Sequence, residues 1–318
     1  MRVVYFAFIP LTVLGLIGNL PIIFFMPMKS VKLSSTMKFY YISIAIADFI
    51  DLLVNLLWIG LTDSLNVITN FQFSINIASQ NDFNCKVFGS LWILSETYSN
   101  YSVIALSIER MVAIYLPYKS KLILNKKFTF FIYSITVFPV SVSLVVMGAL
   151  IAKVAYIPGI SSTGYDCSSY NPSHPLFKFY EIAFPVGMFI IHEAVNFLLF
   201  VVILIGVFRS IKERNNLMKQ DSMKATYSKA INFAITVLLM ILINYSVYLP
   251  TFFFEILYAI IRGTDAGVSV IIGNLYTSFL SLLVLAHSVN IFVYYFRIPS
   301  FKKIINDSIP FCKKELHR

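Results

Sequence analysis

The chain has 318 residues, of which 58% are hydrophobic and only 13% are charged. Soluble domains carry about 25% charged residues, so this composition excludes a soluble globular protein and indicates an integral membrane protein. The formal net charge of +10 is explained by the membrane topology described below, so nucleic-acid binding is not expected.

Seven apolar stretches are each long enough to cross roughly 30 Å of hydrocarbon as a helix. They predict spans over residues 3–28, 39–61, 86–116, 128–152, 179–208, 230–260 and 267–296. The first stretch is predicted to be retained, because it runs about 25 residues without the small-residue site at which a signal peptide is cleaved. The connections are short and contain no repeat, so one membrane domain is expected.

Basic residues concentrate after the first, third, fifth and seventh predicted spans, for example at Lys29, Lys119, Arg209 and Lys302. Loops rich in Lys and Arg stay in the cytosol, so the amino terminus is predicted to be extracellular and the carboxyl terminus cytosolic. We expect a multi-pass protein of the plasma membrane whose basic loops contact anionic membrane lipids.

The three cysteines fall on two sides of the membrane in this topology. Cys85 and Cys167 both lie on the outer, oxidising side, which predicts a disulfide between the start of the third span and the second outer loop. Cys312 lies in the cytosolic tail among basic residues. It is either a site of reversible palmitoylation or an unmodified thiol.

Arg110 lies beside Glu109 near the end of the third span, and two charged residues at a membrane boundary are costly enough to indicate a function. The spacing of Cys85, Arg110 and Pro117 resembles the third helix of rhodopsin-like (class A) G-protein-coupled receptors. The Asp/Glu-Arg-Tyr motif of that family appears here as Glu109-Arg110-Met111. Other helices carry matching marks in order: Gly18-Asn19, Ala45-Ile46-Ala47-Asp48, Pro185, Pro250, Asn290-Ile291-Phe292-Val293-Tyr294 and Phe301-Lys302.

The resemblance implies an all-α membrane protein, a seven-transmembrane helix bundle with a short cytosolic eighth helix. Residues 1–300 would form the receptor domain, and residues 301–318 the amphipathic helix and a short tail. The departures from the family pattern are Met111, Ala230, Tyr248 and Ile291, which stand in place of Tyr, an acidic residue, Trp and Pro. Such drift resembles divergent invertebrate chemosensory receptors, especially those of nematode type.

The charged motif predicts a two-state switch at the cytosolic end of the third span. Glu109 would hold Arg110 in the resting state, and its release would offer guanidinium donors to a G protein. The resemblance adds Asn290 and Tyr294 to the switch. Glu193 stands where the family has a Tyr that meets the motif arginine, so Glu193 is predicted to pair with Arg110 in one state. The alternative is a structural ion pair at a helix end.

Asp48 is a carboxylate inside a predicted span and must find a polar partner. In the family, this position and those matching Asn19, Ser99 and Asn290 surround a sodium ion, so a sodium ion at Asp48 is one interpretation. His287 lies one turn before Asn290. We predict that His287 hydrogen-bonds or neutralises Asp48 and weakens sodium binding.

Trp92, Glu96 and Ser99 have i, i+4 and i+7 spacing, so they share one face of the third span. In the family that face lines the ligand pocket, which Tyr248 of the sixth span would also reach. Amine receptors carry an Asp at the position of Trp92, so an amine bound through that contact is disfavoured. Glu96 either binds a cationic ligand or pairs with a neighbouring polar side chain.

The resemblance implies a non-enzymatic receptor without a cofactor, which binds an extracellular small molecule or short peptide and activates a heterotrimeric G protein. Arrestin is a further expected partner. The alternative is a small-solute transporter or channel that uses Asp48, Glu96, Glu193 and His287 as a polar path. The odd number of spans and the lack of an internal repeat disfavour a transporter.

Overall fold

The computed structural model describes residues 2–57, 81–117, 119–151, 153–156, 165–168, 190–216, 221–261 and 266–308. Its principal helices are α1 (Arg2–Phe25), α2 (Ser35–Asn55), α3 (Asp82–Tyr115), α4 (Lys126–Ile151), α5 (His192–Asn216), α6 (Asp221–Ile261), α7 (Ala266–Arg297) and α8 (Pro299–Ser308). One helical turn, Ser120–Ile123, lies between α3 and α4. Two strands, β1 (Lys153–Tyr156) and β2 (Tyr165–Ser168), form an antiparallel hairpin between α4 and α5.

Each of the seven predicted spans corresponds to one helix, α1 to α7, and the short α8 follows, so the predicted helical bundle is confirmed. Several helices are longer than the apolar stretch that predicts them, because helical hydrogen bonding continues past the first charged residue. Side-chain caps mark two of the starts. The Ser34 hydroxyl accepts a hydrogen bond from the Met37 backbone N–H at 3.2 Å, and Asn81 caps α3 through the Asn84 N–H at 2.8 Å.

Within the described residues, four stretches are long and apolar enough to cross a membrane: Phe8–Phe25, Lys126–Val146, His192–Asn215 and Ala225–Phe254. A fifth is reached if Leu282–Arg297 is counted together with the α8 residues that follow it after a 102° bend. Helices α2 and α3 are not among these stretches. Four of their carboxylates, those of Asp48, Asp51, Glu96 and Glu109, are buried in the bundle rather than exposed to lipid.

Helix α3 lies at the centre of the bundle, where it packs against α2, α4, α5 and α6, and α1 packs against α2 and α7. The outward surface is apolar, since large side chains such as Phe24, Phe130 and Phe208 are mostly exposed. The inner surface holds the buried polar side chains. This distribution is the one expected for a helical bundle whose solvent is hydrocarbon.

Close contact between α1 and α7 depends on Gly15. A Cβ atom added there would lie 2.2 Å from Ser288 Oγ and 2.7 Å from Leu52 Cδ1, far inside van der Waals contact. Ser288 cannot move away freely, because its hydroxyl donates to the backbone carbonyls of Leu11 and Val284. The absence of a side chain at Gly15 therefore sets the distance between these helices.

We expect Gly15→Ala to lower the free energy of unfolding by about 1–3 kcal/mol, because the added methyl overpacks the α1–α7 contact. Gly89→Ala is the matched control, since a Cβ at Gly89 meets nothing within 4 Å. That change should be neutral or stabilise α3 by up to about 1 kcal/mol. Thermal unfolding of both variants in detergent measures the difference, and equal melting temperatures would contradict the contact.

Helix α8 is amphipathic and is held against the end of the bundle. Phe301 is fully buried and Ile305 is nearly so, whereas Lys302 is exposed and lies 5.4 Å from the centre of the Tyr295 ring. The Ser300 hydroxyl accepts a hydrogen bond of 3.1 Å from the backbone N–H of Lys32. This bond connects α8 to the loop between α1 and α2.

Candidate functional site

A polar layer in the middle of the bundle surrounds Asp48, whose side chain is fully buried. One carboxylate oxygen, Oδ1, accepts a hydrogen bond from Ser99 Oγ at 2.5 Å and lies 2.8 Å from His287 Nδ1. The other oxygen, Oδ2, accepts a hydrogen bond from Asn290 Nδ2 at 2.5 Å. The structure therefore brings together four side chains that the sequence predicts at one level of α2, α3 and α7.

His287 also contacts two further carboxylates, those of Glu96 and Asp51, through its other ring nitrogen. Nε2 lies 3.1 Å from Glu96 Oε2 and 3.6 Å from Asp51 Oδ2. His287 is 3% exposed, so both interactions are shielded from solvent. One imidazole thus links three acidic residues on two other helices, α2 and α3.

Glu96 is bound from α6 as well. The Tyr248 hydroxyl donates to Glu96 Oε1, Asn100 Nδ2 donates to the same oxygen at 3.1 Å, and the Tyr248 oxygen lies 3.4 Å from His287 Nε2. Tyr248 occupies the position at which the resemblance led us to expect Trp, and its hydroxyl supplies a polar link that an indole could not make in the same way. Trp92 is half-buried and lies one turn before Glu96 on α3. It packs against the apolar cluster that contains Tyr248.

Asp51 belongs to this layer, although the sequence analysis did not single it out. Its carboxylate accepts hydrogen bonds from Ser95 Oγ at 3.1 Å and from Asn55 Nδ2 at 2.8 Å. The signal that could have found it is its spacing. Residues three apart share a helix face, so Asp51 had to point the same way as Asp48.

A sodium ion, which is one interpretation of the sequence, does not fit the environment of Asp48. Both carboxylate oxygens already accept short hydrogen bonds, and His287 stands beside Oδ1, where a cation would compete with it. Asn19 does not contact the carboxylate, because its amide nitrogen donates to the backbone carbonyls of Gly15 and His287 at 3.0 Å and 3.1 Å. In this chain, the imidazole takes the place that the family gives to sodium.

We expect the thermal stability of the purified protein to be the same in sodium chloride and in choline chloride. His287→Ser should become sodium-sensitive, because it opens space beside Asp48 and removes the competing cation. Sodium at ten times its dissociation constant would then stabilise the variant by about 1.4 kcal/mol. Equal melting curves of the variant in the two salts would contradict this account.

A second charged group lies near the end of α3 that is predicted to be cytosolic. Arg110 Nη2 donates to Glu109 Oε1 at 2.7 Å, and the Thr36 hydroxyl of α2 donates to the same oxygen at 3.0 Å. Glu109 and Arg110 are 1% and 5% exposed. Among the described residues, Glu109 Oε2 and Arg110 Nε have no hydrogen-bond partner, so the pair retains capacity for a further contact.

The structure does not bring Glu193 to Arg110. The ring of the neighbouring His192 is centred 5.8 Å from the Tyr101 ring, and Tyr101 precedes Arg110 by nine residues of α3. Nine helical residues rise by ~14 Å, so Glu193 lies more than two turns away from the arginine. Its Oε1 atom is instead 3.2 Å from His192 Nδ1. The pairing of Glu193 with Arg110 is therefore not present in the state that this structure shows, and its formation in another state stays a prediction.

The other predicted positions are only partly described. Tyr294 is fully buried, with its ring centred 4.5 Å from that of Tyr41, and neither hydroxyl has a hydrogen-bond partner among the described residues. Cys85 is buried and disulfide-bonded. Cys167 lies on β2, a strand that contacts α3, which agrees with the predicted pairing. Cys312 lies outside the described residues.

Comparison with known families agrees with this arrangement. The sequence model of the family described as 7 transmembrane receptor (rhodopsin family) matches residues 18–294. No match was found among curated proteins. The match covers most of the chain, from the first-helix Gly-Asn pair to the tyrosine at the end of the seventh-helix motif. The chain therefore belongs to the rhodopsin family of seven-transmembrane receptors, a family of membrane proteins that transduce signals.

Proposed function

We propose that this receptor binds an extracellular small molecule or short peptide inside its helix bundle and activates a heterotrimeric G protein on the cytosolic side. The observation that carries the proposal is the buried contact in which Glu109 holds Arg110 and Thr36 ties Glu109 to α2. A buried guanidinium that loses its carboxylate must find another partner. The contact therefore favours one state of a two-state bundle, and an incoming G protein would favour the other.

The ligand would act on the layer in which Glu96, Tyr248 and His287 connect α3, α6 and α7. Trp92 and Ser99 share the face of α3 that carries Glu96, and Trp92 is nearer the predicted outer end. A ligand that contacts Glu96 or Tyr248 competes with hydrogen bonds between α3 and α6. Its binding energy can then shift these helices relative to each other.

The change would reach Arg110 through α2 and α7. Asp48 connects α2 to Ser99 of α3 and to Asn290 of α7, and Tyr294 follows Asn290 by one turn and packs on Tyr41 of α2. Movement at Asp48 would therefore displace α2, whose first turn contacts Glu109 through Thr36, and α7, which packs on α2 through Tyr294. In this proposal, Asn290 and Tyr294 transmit the conformational change from the ligand, and the separation of Glu109 from Arg110 is the switch.

Further parts of the proposal concern location and partners. The receptor would lie in the plasma membrane with its amino terminus outside, and a Cys85–Cys167 disulfide would fasten β2 to α3. Arrestin would bind the same cytosolic side, and Cys312 is a site where palmitoylation would anchor the tail beyond α8. The divergence of the motifs supports a chemosensory role with a small odorant-like ligand.

The proposal is tested by a ligand screen in cells that express the receptor with a promiscuous G protein. Nucleotide exchange on the G protein is measured together with membrane current in the same cells. Exchange that requires both ligand and receptor supports the proposal. A substrate-driven current without nucleotide exchange would instead support a transporter or channel that uses the buried acidic residues and His287.

A further inference from the structure

Three buried side chains from three helices converge on one point beside Asp48. They are Asp51 of α2, Glu96 of α3 and His287 of α7, and each offers a ligand atom within 4.8 Å of the other two. All three residues are at most 3% exposed. Carboxylate oxygen and imidazole nitrogen are both ligand atoms that zinc accepts.

The orientation of His287 is the one that a metal ligand requires. Nδ1 faces Asp48 Oδ1 at 2.8 Å, so the carboxylate holds a proton on that nitrogen. Nε2 faces Glu96 Oε2 and Asp51 Oδ2, and it can bind a metal ion between these two oxygens once it gives up its own proton. Zinc-binding histidines commonly donate their second ring N–H to a carboxylate in this way, which fixes the ring and makes the ligating nitrogen more basic.

The distances also match a small tetrahedral ion. Zinc bonds of about 2.0–2.1 Å at tetrahedral angles place neighbouring ligand atoms about 3.3–3.4 Å apart. The two separations from His287 Nε2, 3.1 Å to Glu96 Oε2 and 3.6 Å to Asp51 Oδ2, lie on either side of this value. Shifts of a few tenths of an ångström would therefore bring both carboxylate oxygens to the tetrahedral separation from Nε2.

The cluster has more acidic than basic side chains, which favours the binding of a cation. Asp48, Asp51 and Glu96 face a single imidazole, so even a protonated ring leaves two negative charges unbalanced among ionised carboxylates. Within the described residues, His287 is the one basic side chain that forms an ion pair with any of them. Unbalanced charge inside a membrane protein is costly, and a divalent ion bound by a neutral imidazole would reduce the excess.

An unused acceptor lies at the edge of the same cluster. Asn100 is 1% exposed, and its Nδ2 atom donates to Glu96 Oε1 and to Tyr248 Oη. Its Oδ1 atom has no hydrogen-bond partner among the described side chains. A water molecule on a bound metal ion could donate a hydrogen bond to this oxygen of Asn100, which lies next to Glu96.

We propose that Asp51, Glu96 and His287 form a binding site for a divalent transition-metal ion, with zinc as the best fit. Asp48 is the outer carboxylate that orients the imidazole, and the fourth coordination position is open to water. The ion would connect α2, α3 and α7, so it would stabilise the bundle. Magnesium is disfavoured because it prefers six oxygen ligands in octahedral geometry.

The test uses the full-length receptor, purified in detergent and stripped of metal with a chelator. Zinc is titrated against a chromophoric zinc chelator, and cobalt is added separately to look for the visible absorption of a tetrahedral site. We expect zinc to bind and to raise the melting temperature, and excess magnesium not to compete. Absence of zinc binding or of a tetrahedral cobalt spectrum would overturn the proposal.

Variants locate the site. Asp48→Asn should weaken zinc binding by about 10–100-fold, the usual effect of losing an outer-shell partner, and Asp51→Asn and Glu96→Gln should weaken it further. Glu213→Gln is the matched control, because Glu213 pairs with Arg209 on the protein surface. Glu96→His keeps a zinc ligand and should retain the zinc-dependent rise in melting temperature even if the amide variants fold poorly. Unchanged affinity in the cluster variants would place the metal elsewhere and overturn the assignment.

Discussion

Glu109→Gln is expected to raise G-protein nucleotide exchange in the absence of ligand. The substitution removes the negative charge that holds Arg110 at 2.7 Å but retains an oxygen that can accept the hydrogen bond from Thr36. If the pair contributes about 1–3 kcal/mol to the difference between the two states, the ratio of active to resting receptor rises by about 5–150-fold. Exchange assays in membranes, normalised to receptor content, measure this ratio.

Arg110→Ala should have the opposite effect and abolish ligand-stimulated exchange, because the guanidinium donors are then missing from the active state. Glu213→Gln is the control for charge removal on the same side of the membrane. Its partner Arg209 is mostly exposed, so the ion pair contributes little, and glutamine keeps an oxygen that can accept the hydrogen bond from Tyr227, so exchange should not change. If Glu109→Gln leaves basal exchange at the level of this control, the Glu109–Arg110 pair is structural and not a switch.

His287→Leu is expected to be the most destabilising single substitution in the bundle. It removes the one imidazole that contacts Asp48, Asp51 and Glu96, and it leaves their charges buried without a basic partner. Breaking a buried ion pair by removing one partner costs about 3–5 kcal/mol. Thermal unfolding of the metal-free protein in detergent should show this loss.

A background with neutral amides separates the loss of charge balance from the loss of packing. In a protein that carries Asp48→Asn, Asp51→Asn and Glu96→Gln, the same His287→Leu change should cost much less, because no uncompensated carboxylate remains. A similar loss of unfolding free energy in both backgrounds would mean that His287 stabilises the bundle by packing rather than by balancing charge. His192→Leu is a useful comparison, since His192 is equally buried but contacts a single carboxylate, that of Glu193.

The sequence was sufficient for the fold class and for much of the polar layer. Hydropathy located the helices, and the family motifs placed Asp48, Ser99, His287 and Asn290 at one level, where the structure brings them together. These positions could be predicted because each is set by spacing along its own helix. Asp51 required only the additional step of comparing it with the helix face that Asp48 occupies.

The relation of α5 to α3 could not be predicted in the same way. How far one helix is displaced along another depends on which side chains interlock. A single family mark in the fifth span, Pro185, does not specify that displacement. Gly206 shows the determinant, because a Cβ there would lie 2.7 Å from Ile114 Cγ2. The Tyr115 hydroxyl also donates to the Val202 carbonyl at 3.0 Å. These contacts fix the register that places Glu193 away from Arg110.

The loop between α1 and α2 contacts α8, and the first turn of α2, which follows the loop, contacts α3. The Lys32 N–H donates to Ser300 of α8, and four residues later Thr36 donates to Glu109 beside the motif arginine. A displacement of α8 would therefore reach Arg110 through the short backbone segment from Lys32 to Thr36. It would not pass through the layer of Glu96, Tyr248 and His287. We expect lipid composition and tail anchoring, which act on α8, to set the resting activity of the receptor independently of any ligand.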